Sequence, residues 1–416
     1  MRKPTGLEYL YLDFDSFFAS AEQSFQPVLH NRPVGVLPVM SQATCVIAAS
    51  KEAKPFGVKT GTPVREAKAL CPDIIFVPAR HEKYVELHHK IIALVDDIVP
   101  VKGVRSIDEV TCHLLSNEQE RAEEIALQIK RQIKKQFGSA LTCSIGLAPN
   151  ELLAKIGAEM NKPDGLVTIR PEDLPRKILG LQLTDIPGIA HGNAARLKAA
   201  GIGTIAELWA LAPKQMRALW GTVEGERLWA WLHGFEAERQ STERCMFGHS
   251  RVLAWNWRNG ERLRICARLL TAKAARRMRR EHFTARILTL NLYCKEGPGF
   301  SSDHRFTTPA RDDCSILNAL EAMLDAGIAR LGGRRPKFVH VFLHDLVMRD
   351  ARAFDLFETD LQASKRKRWE DLADIADDLG TKFHPKILHL GAYLEPPGGY
   401  AGGKIAFNRV PDKSDF

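Results

Sequence analysis

The 416-residue chain has eight cysteines and no CxxC pair among them; the closest two stand 20 residues apart. Zinc-ligand spacing is therefore missing, and the thiols read as reduced core residues of a cytoplasmic protein. No apolar run approaches the roughly 20 residues that a membrane helix needs, so no membrane partner is expected. Asp13 and Asp15 stand where a signal peptide would place its apolar core, and no secretion signal is read. Internal repeats are absent as well. A composition of 45% hydrophobic and 26% charged residues excludes wholesale disorder and fibrous architectures. The length suggests roughly two to four domains.

Net charge is lacking over most of the chain. Residues 1–243 hold 29 basic and 29 acidic side chains, and residues 351–416 hold 10 and 11. Residues 244–350 hold 20 and 10 and so carry the whole of the +9 excess. Such a block reads either as a face for nucleic acid or acidic membrane, or as a helix with a solvated basic face.

What is present begins with Glu8-Tyr-Leu-Tyr-Leu-Asp13-Phe-Asp15, an apolar run ending in acids. It predicts a buried strand that delivers carboxylates at its C-terminal end, followed by a helix with Ser16 as its cap. Further β-like pieces lie at 34–39, 45–49, 74–77 and 141–147, with a strand-pair region around 104–114. Helical periodicity covers 82–98, 118–137 and 150–160. Residues 171–236 are short helices punctuated by Pro and Gly, and 237–243 fit a linker. The basic block reads strand, helix, strand, strand, helix, strand. The tail carries Lys365-Arg-Lys-Arg368 and a helix to Leu379.

Two acidic clusters could meet on adjacent strands: Asp13-Phe14-Asp15 and Ser106-Ile107-Asp108-Glu109. Three carboxylates in one place repel unless cations neutralise them, and hard oxygen donors suit Mg²⁺, which also bridges substrate phosphates. Scattered surface acids are the plainer reading of the same residues.

Four segments, in order, resemble the motifs of Y-family (translesion) DNA polymerases. They are Tyr11-Leu-Asp13-Phe-Asp15-Ser-Phe-Phe18-Ala-Ser-Ala-Glu22, then Phe56-Gly-Val-Lys-Thr-Gly-Thr-Pro63, then Ser106-Ile-Asp-Glu109. The last is Cys143-Ser-Ile-Gly-Leu-Ala-Pro-Asn150 running through Leu152-Leu-Ala-Lys155 to Lys162-Pro-Asp-Gly165. The likeness spans about residues 7 to 350 and is greatest to the DNA polymerase IV-like branch. It implies an α+β right-hand polymerase: palm (1–25 and 81–170), fingers (26–80), helix-hairpin-helix thumb (171–236), linker (237–243), a β-α-β-β-α-β little finger (244–350) and a C-terminal tail (351–416).

The resemblance implies roles for particular residues. Asp13, Asp108, Glu109 and the backbone carbonyl of Phe14 match the ligands of two Mg²⁺ ions, with the three carboxylates as the catalytic set. Asp15 has no such match and takes a structural reading. Phe18 matches a steric gate against ribonucleotides, whereas Phe17 reads as core. Lys51, Lys54 and Lys162 match triphosphate contacts. The family commonly has Tyr and Arg at the first two, so a phenol and a bidentate fork are replaced by ammonium groups. Glu151 stands where the family usually has Lys, removing a positive charge near DNA. Asp185-Ile-Pro-Gly188-Ile-Ala-His-Gly192 resembles a helix-hairpin-helix whose Gly188 and Gly192 approach DNA phosphates, with Ala190 at the usual second glycine.

For the little finger the resemblance implies that the strands bind DNA, through Arg251, Arg286 and Arg305. The helical cations Arg262, Arg268, Lys273, Arg276, Arg277, Arg279 and Arg280 then read as a solvated outer face. Six tryptophans, Trp209, Trp220, Trp229, Trp231, Trp255 and Trp257, read as core packing. Ala353-Phe-Asp-Leu-Phe357 partly resembles peptides that bind sliding clamps, with Leu356 and Phe357 as anchors and Ala353 in place of Gln.

The implied function is a template-directed, error-tolerant DNA polymerase working on primer-template DNA and dNTP. A second reading is a non-catalytic adaptor that brings a clamp or partner polymerase to lesions; Lys51, Glu151 and the long tail motivate it.

Overall fold

A computed structural model describes residues 1–237 and 243–383, with positions 388, 391, 394 and 410. Two compact units result, one built on Met1–Gln240 and the other on Ser241–Ala406.

In the first unit, strand β1 (Tyr9–Phe14) is buried at every position, as a central strand covered on both faces must be. Helix α1 (Phe17–Phe25) follows. Ser16 does not cap it: the residue is left-handed, with φ 51°, and its buried Oγ has no partner. A small sheet comes next, made of β2 (Val34–Leu37), β3 (Ala48–Ala49) and, after α2 (Val64–Leu70), β4 (Ile75–Pro78), in the order β3-β2-β4. Helix α3 (His81–Asp96) leads into a hairpin of β5 (Val101–Val104) and β6 (Glu109–His113). Helices α4 (Ser116–Gln119) and α5 (Ala122–Phe137) precede β7 (Cys143–Ala148), α6 (Glu151–Met160) and β8 (Leu166–Thr168). The main sheet has the order β5-β6-β1-β7-β8, so the two acid-bearing segments are neighbours.

Helix α6 lies against that sheet at very short range. A Cβ on Gly146 of β7 would fall 1.9 Å from the carbonyl oxygen of Ala154, so only glycine admits the helix here. Asn150 caps α6 by accepting from the Leu153 amide at 3.0 Å. The remainder is helical: α7 (His191–Ala199), α8 (Ile205–Trp209), α9 (Pro213–Trp220) and α10 (Glu224–Leu232).

The second unit has the expected order: β9 (Met246–Val252), α11 (Gly260–Arg280), β10 (Phe283–Cys294), β11 (Phe300–Ala310), α12 (Asp313–Leu331) and β12 (Pro336–Met348). The sheet runs β11-β10-β12-β9, with α11 over β9 and β12 and α12 over β10 and β11. Their meeting surface is one core that includes Trp257, Leu270, Leu290 and Val341. A last helix, α13 (Asp360–Lys382), follows.

Two expectations are corrected. The cations of α11 do not all form a solvated face: Arg280 is exposed, but others are engaged by acids. Arg279 is 6% exposed and bonds Asp313 of α12 and Asp377 of α13. Arg276 also reaches Asp377 at 3.1 Å, Arg311 pairs with Asp374, and Arg268 pairs with Glu321 at 2.6 Å. Particular acids of α12 and α13 (Glu321, Asp374 and Asp377) meet these cations and the neighbouring Arg311, which the order of residues along α11 does not reveal. The tryptophans divide as well. Trp229 and Trp209 stack on His233, and Trp257 is buried, but Trp255 is 67% exposed between the guanidinium groups of Arg258 and Arg335. All eight cysteines are unpaired, and no described helix is long and apolar enough to cross a membrane.

Candidate active site

Strand register places Asp13 directly across from Glu109 of β6 on one side and from Ser144 of β7 on the other. The turn before β6 is tied to β1 by the Phe14 N–H, which donates to the Asp108 carbonyl at 2.9 Å. Asp108 itself ends in this turn, its carboxylate accepting from the Ser106 hydroxyl. The carboxylates whose oxygens converge are Asp13, Glu109 and Glu159, one oxygen from each lying within 4.8 Å of the others. Glu159 was not among the residues singled out from sequence. It stands one turn after Lys155 on α6, a spacing that puts those two on one helix face, and three residues before Lys162, which lies just beyond the helix end.

Ammonium groups already partner these acids. Lys162 Nζ lies 2.6 Å from Asp13 Oδ1 and 2.8 Å from Glu159 Oε1, while Lys155 pairs with Glu109. Burial pushes Asp13 up to about 8; Lys162 opposes this, and the nearby acids Glu159 and Asp108 reinforce it. Burial likewise raises Asp108 against the pull of the Ser106 hydroxyl. Burial would raise Glu159 too, but its contacts with Lys162 carry it below its ordinary value.

The sign of the Asp13 shift sets a pH dependence. In the folded chain burial makes the carboxyl hold its proton more tightly than in the unfolded chain, which releases it near 3.8, although Lys162 at 2.6 Å favours the ionised form. The stability this group contributes is whole below the unfolded value and is lost as pH rises through the folded one. Urea unfolding in EDTA is expected to show that loss between pH 4 and 8, relative to Asp13→Asn, which lacks it. Parallel pH profiles of the two proteins would contradict it.

Asp15 has the structural role expected of it. Thr142 Oγ1, Ser144 Oγ and the Asp164 amide all donate to its carboxylate at 2.8 Å. Phe17 is buried, and Phe18 is half-buried with its ring stacked on Tyr84 at 4.6 Å. Tyr84 is anchored in turn by its hydroxyl, which donates to Glu22 at 2.7 Å. Lys51 and Lys54 lie on the segment after β3 and make no ion pair with the acid cluster among the described residues. Glu151 is not an unbalanced acid: Arg105 grips it through two bonds, of 2.8 and 2.6 Å.

Gly188 has φ +95° and is exposed, a left-handed turn that only glycine adopts freely, whereas Ala190 has φ −81° and needs no glycine. Gly192 is exposed in the first turn of α7. In the second unit, Arg286 and Arg305 approach one acid, Asp345, at 3.5 and 3.6 Å, and Arg251 is half-buried on β9.

Donor chemistry at the cluster is all oxygen and converging, running from buried Asp13 through half-buried Glu109 to exposed Glu159, and cationic side chains sit among the carboxylates. That set fits a hard divalent cation.

Comparisons with known proteins bear on the family and the fold. The impB/mucB/samB family pattern matches residues 12–159, and the pattern of its C-terminal domain matches residues 246–356. DNA polymerase IV of Moorella thermoacetica is 31% identical over 408 residues, covering 95% of this chain and 98% of that one. DNA polymerase IV 1 of Bacillus subtilis is 27% identical, with 96% of each chain covered. Among solved structures, a Y-family DNA polymerase chimera of Dbh and Dpo4 superposes with a TM-score of 0.69 at 24% identity, covering 82% of this chain and 99% of that one. With the fold, both domain patterns and full-length relatives in agreement, this chain belongs to the impB/mucB/samB family, the Y-family DNA polymerases.

Proposed function

We propose that this chain is a template-directed, error-tolerant DNA polymerase that extends primers past damaged bases. The observation that carries it is Asp13 facing Glu109 across paired strands, with Asp108 in the adjoining turn. The main sheet with α3, α5 and α6 serves as palm, the β2-β3-β4 region as fingers, α7 to α10 as thumb, and the β9 to β12 sheet as little finger.

The family depends on a divalent metal; here Asp13, Asp108, Glu109 and the Phe14 carbonyl would hold two Mg²⁺. Bound there, the ions would bind the triphosphate and lower the pKa of the primer 3′-hydroxyl, which attacks the α-phosphate as pyrophosphate leaves. The chain's own groups do the rest. The rigid β1–β6 pair keeps the carboxylates in place, so no reorganisation is needed as charge develops. Lys51, Lys54 and Lys162 supply point charges for phosphate oxygens. Gly188 and Gly192 let thumb amides approach a DNA phosphate, and Arg251, Arg286 and Arg305 give salt-dependent, sequence-tolerant contacts. Primer extension on damaged and undamaged templates, with Asp108→Ala as control, tests the reading. Extension by wild type and none by the variant supports it; no extension by wild type refutes it. The intact acids, with full-length relatives named as polymerases, weigh against the adaptor reading.

Phe18 acts as the sugar gate. Its ring is braced by Tyr84 and cannot swing aside, so a 2′-hydroxyl has no room. Phe18→Ala is expected to lose roughly 100-fold in dNTP over rNTP preference, the scale of a removed steric contact. Single-nucleotide incorporation measures the ratio; an unchanged ratio would rule the gate out.

The tail supplies a docking peptide for a sliding clamp. Leu356 and Phe357 are 95% and 90% exposed, a costly display for two large apolar side chains unless a partner covers them. The loop is held at both ends: Arg352 pairs with Glu370, Arg366 grips Glu358 at 2.8 and 2.9 Å, and Phe354 lies beneath Arg366. Leu356→Ala with Phe357→Ala is expected to weaken clamp binding about 100-fold and leave Tm unchanged. Surface plasmon resonance against the host's clamp measures this, and wild-type affinity in the variant would exclude the peptide.

A further inference from the structure

The acids of the candidate metal site are not waiting bare. Lys162 Nζ touches Asp13 Oδ1 at 2.6 Å and Glu159 Oε1 at 2.8 Å, and Lys155 covers Glu109. The Asp13 oxygen that Lys162 engages belongs to the carboxylate a divalent cation must use, so the two cations compete for it. Glu159 is not one of the proposed ligands, although one of its oxygens lies within 4.8 Å of those of Asp13 and Glu109. It is three residues before Lys162, on the last turn of α6, and stays in reach of the same ammonium when Asp13 is taken by a metal. A lysine suits such a role because its compact charge sits on a flexible stem and can move between anions at small cost.

We propose that Lys162 is an internal counter-cation that occupies Asp13 until metal and nucleotide arrive, and that Glu159 is the positioning residue that retains the displaced ammonium beside the triphosphate. This inference rests on the reading of Asp13 as a metal ligand. In the free chain, the metal must displace a bonded ammonium from a buried carboxylate, and so binds weakly. The incoming triphosphate then gives the released ammonium a new anion. Glu159 keeps it from swinging into solvent, which limits the entropy lost when the phosphate is bound.

Titration of the full chain with Mn²⁺, without DNA or nucleotide and followed by the electron paramagnetic resonance of free Mn²⁺, tests the first part. Lys162→Met removes the charge at similar length and is expected to raise Mn²⁺ affinity about tenfold, the worth of one charge-assisted contact. Lys162→Arg keeps the cation and should stay near wild type. Equal affinity in wild type and Lys162→Met overturns the counter-cation, provided that Asp13→Asn still lowers it. Survival of the gain in the Asp13→Asn, Lys162→Met double variant overturns instead the assignment of Asp13 to the metal.

Nucleotide kinetics test the second part. Glu159→Gln is expected to raise the KM for dNTP about tenfold while kcat changes less than about threefold, with Glu159→Asp recovering most of the loss. A fall in kcat at unchanged KM, or loss of Mn²⁺ binding in the absence of nucleotide, would make Glu159 something other than a tether.

Discussion

Replacing Asp13 by alanine is expected to abolish primer extension, lowering the rate at least about a thousandfold, the several kcal/mol that metal-assisted charge stabilisation supplies. The protein should remain folded. Asp13 is 5% exposed, and burial holds its carboxyl far above the ordinary range, so ionising it costs the native state free energy. Removing it relieves that cost while the strand pairing of β1 with β6 and β7, which uses backbone groups, is untouched. Lys162 keeps Glu159 as a partner and is not stranded. Thermal unfolding in EDTA above pH 8 should therefore show a Tm equal to or above that of wild type. An inactive and unfolded variant would argue that Asp13 is structural; an active one would remove it from the chemistry. Asp15→Ala makes the contrast. Its carboxylate accepts three bonds at 2.8 Å that join β1 to β7 and to the Lys162 loop, so its loss should lower Tm.

The second large effect is expected at Arg279. Its guanidinium donates to Asp377 at 2.6 and 2.9 Å, to Asp313 at 3.0 and 3.1 Å and to the Arg311 carbonyl at 2.9 Å. Those bonds use all five donors of the fork, and Arg279 and Asp313 are both buried. Arg279→Ala leaves the buried Asp313 carboxylate without its bonded cation and Asp377 with Arg276 alone, at a cost of about 3–5 kcal/mol. Lysine cannot restore the geometry, because one ammonium does not match two carboxylates and a carbonyl held in a fixed fork. Asp377 belongs to α13, so the variant should also release that helix. Urea unfolding measures the first effect, and hydrogen exchange of residues 360–382 the second. A loss under about 1 kcal/mol would mean that α13 is held by other contacts.

These two residues mark how far the sequence could be read. The strand bearing Asp13 was legible because buried central strands need uninterrupted apolar residues, but the role of Asp13 was legible only through the ordered motifs that resemble a known family, since acids at such an end can also be structural, as Asp15 is. The order of strands and helices in residues 244–350 was legible for a similar reason, since period-two and period-3.6 patterns are local. Arg279 was misread because eight cations along α11 look alike in a string. Which of them is buried depends on where a helix lying about a hundred residues later comes to rest. Glu159 was passed over because its neighbours along α6 are ordinary, and its meaning arises only when the helix seats on β7 over Gly146. Ser16 failed as a cap because the chain turns through a left-handed residue there.

By itself, the sequence determined the family, the strand that carries Asp13, the paired acids at 108 and 109, the uneven distribution of charge and the fold class. Those features are written in local order and spacing, which survive without knowledge of neighbours. Only the tertiary structure decided which acids converge, which ammonium occupies Asp13, and which cations are buried on α13. Coulomb energy and desolvation depend on distance and burial, and neither is a property of position along the chain.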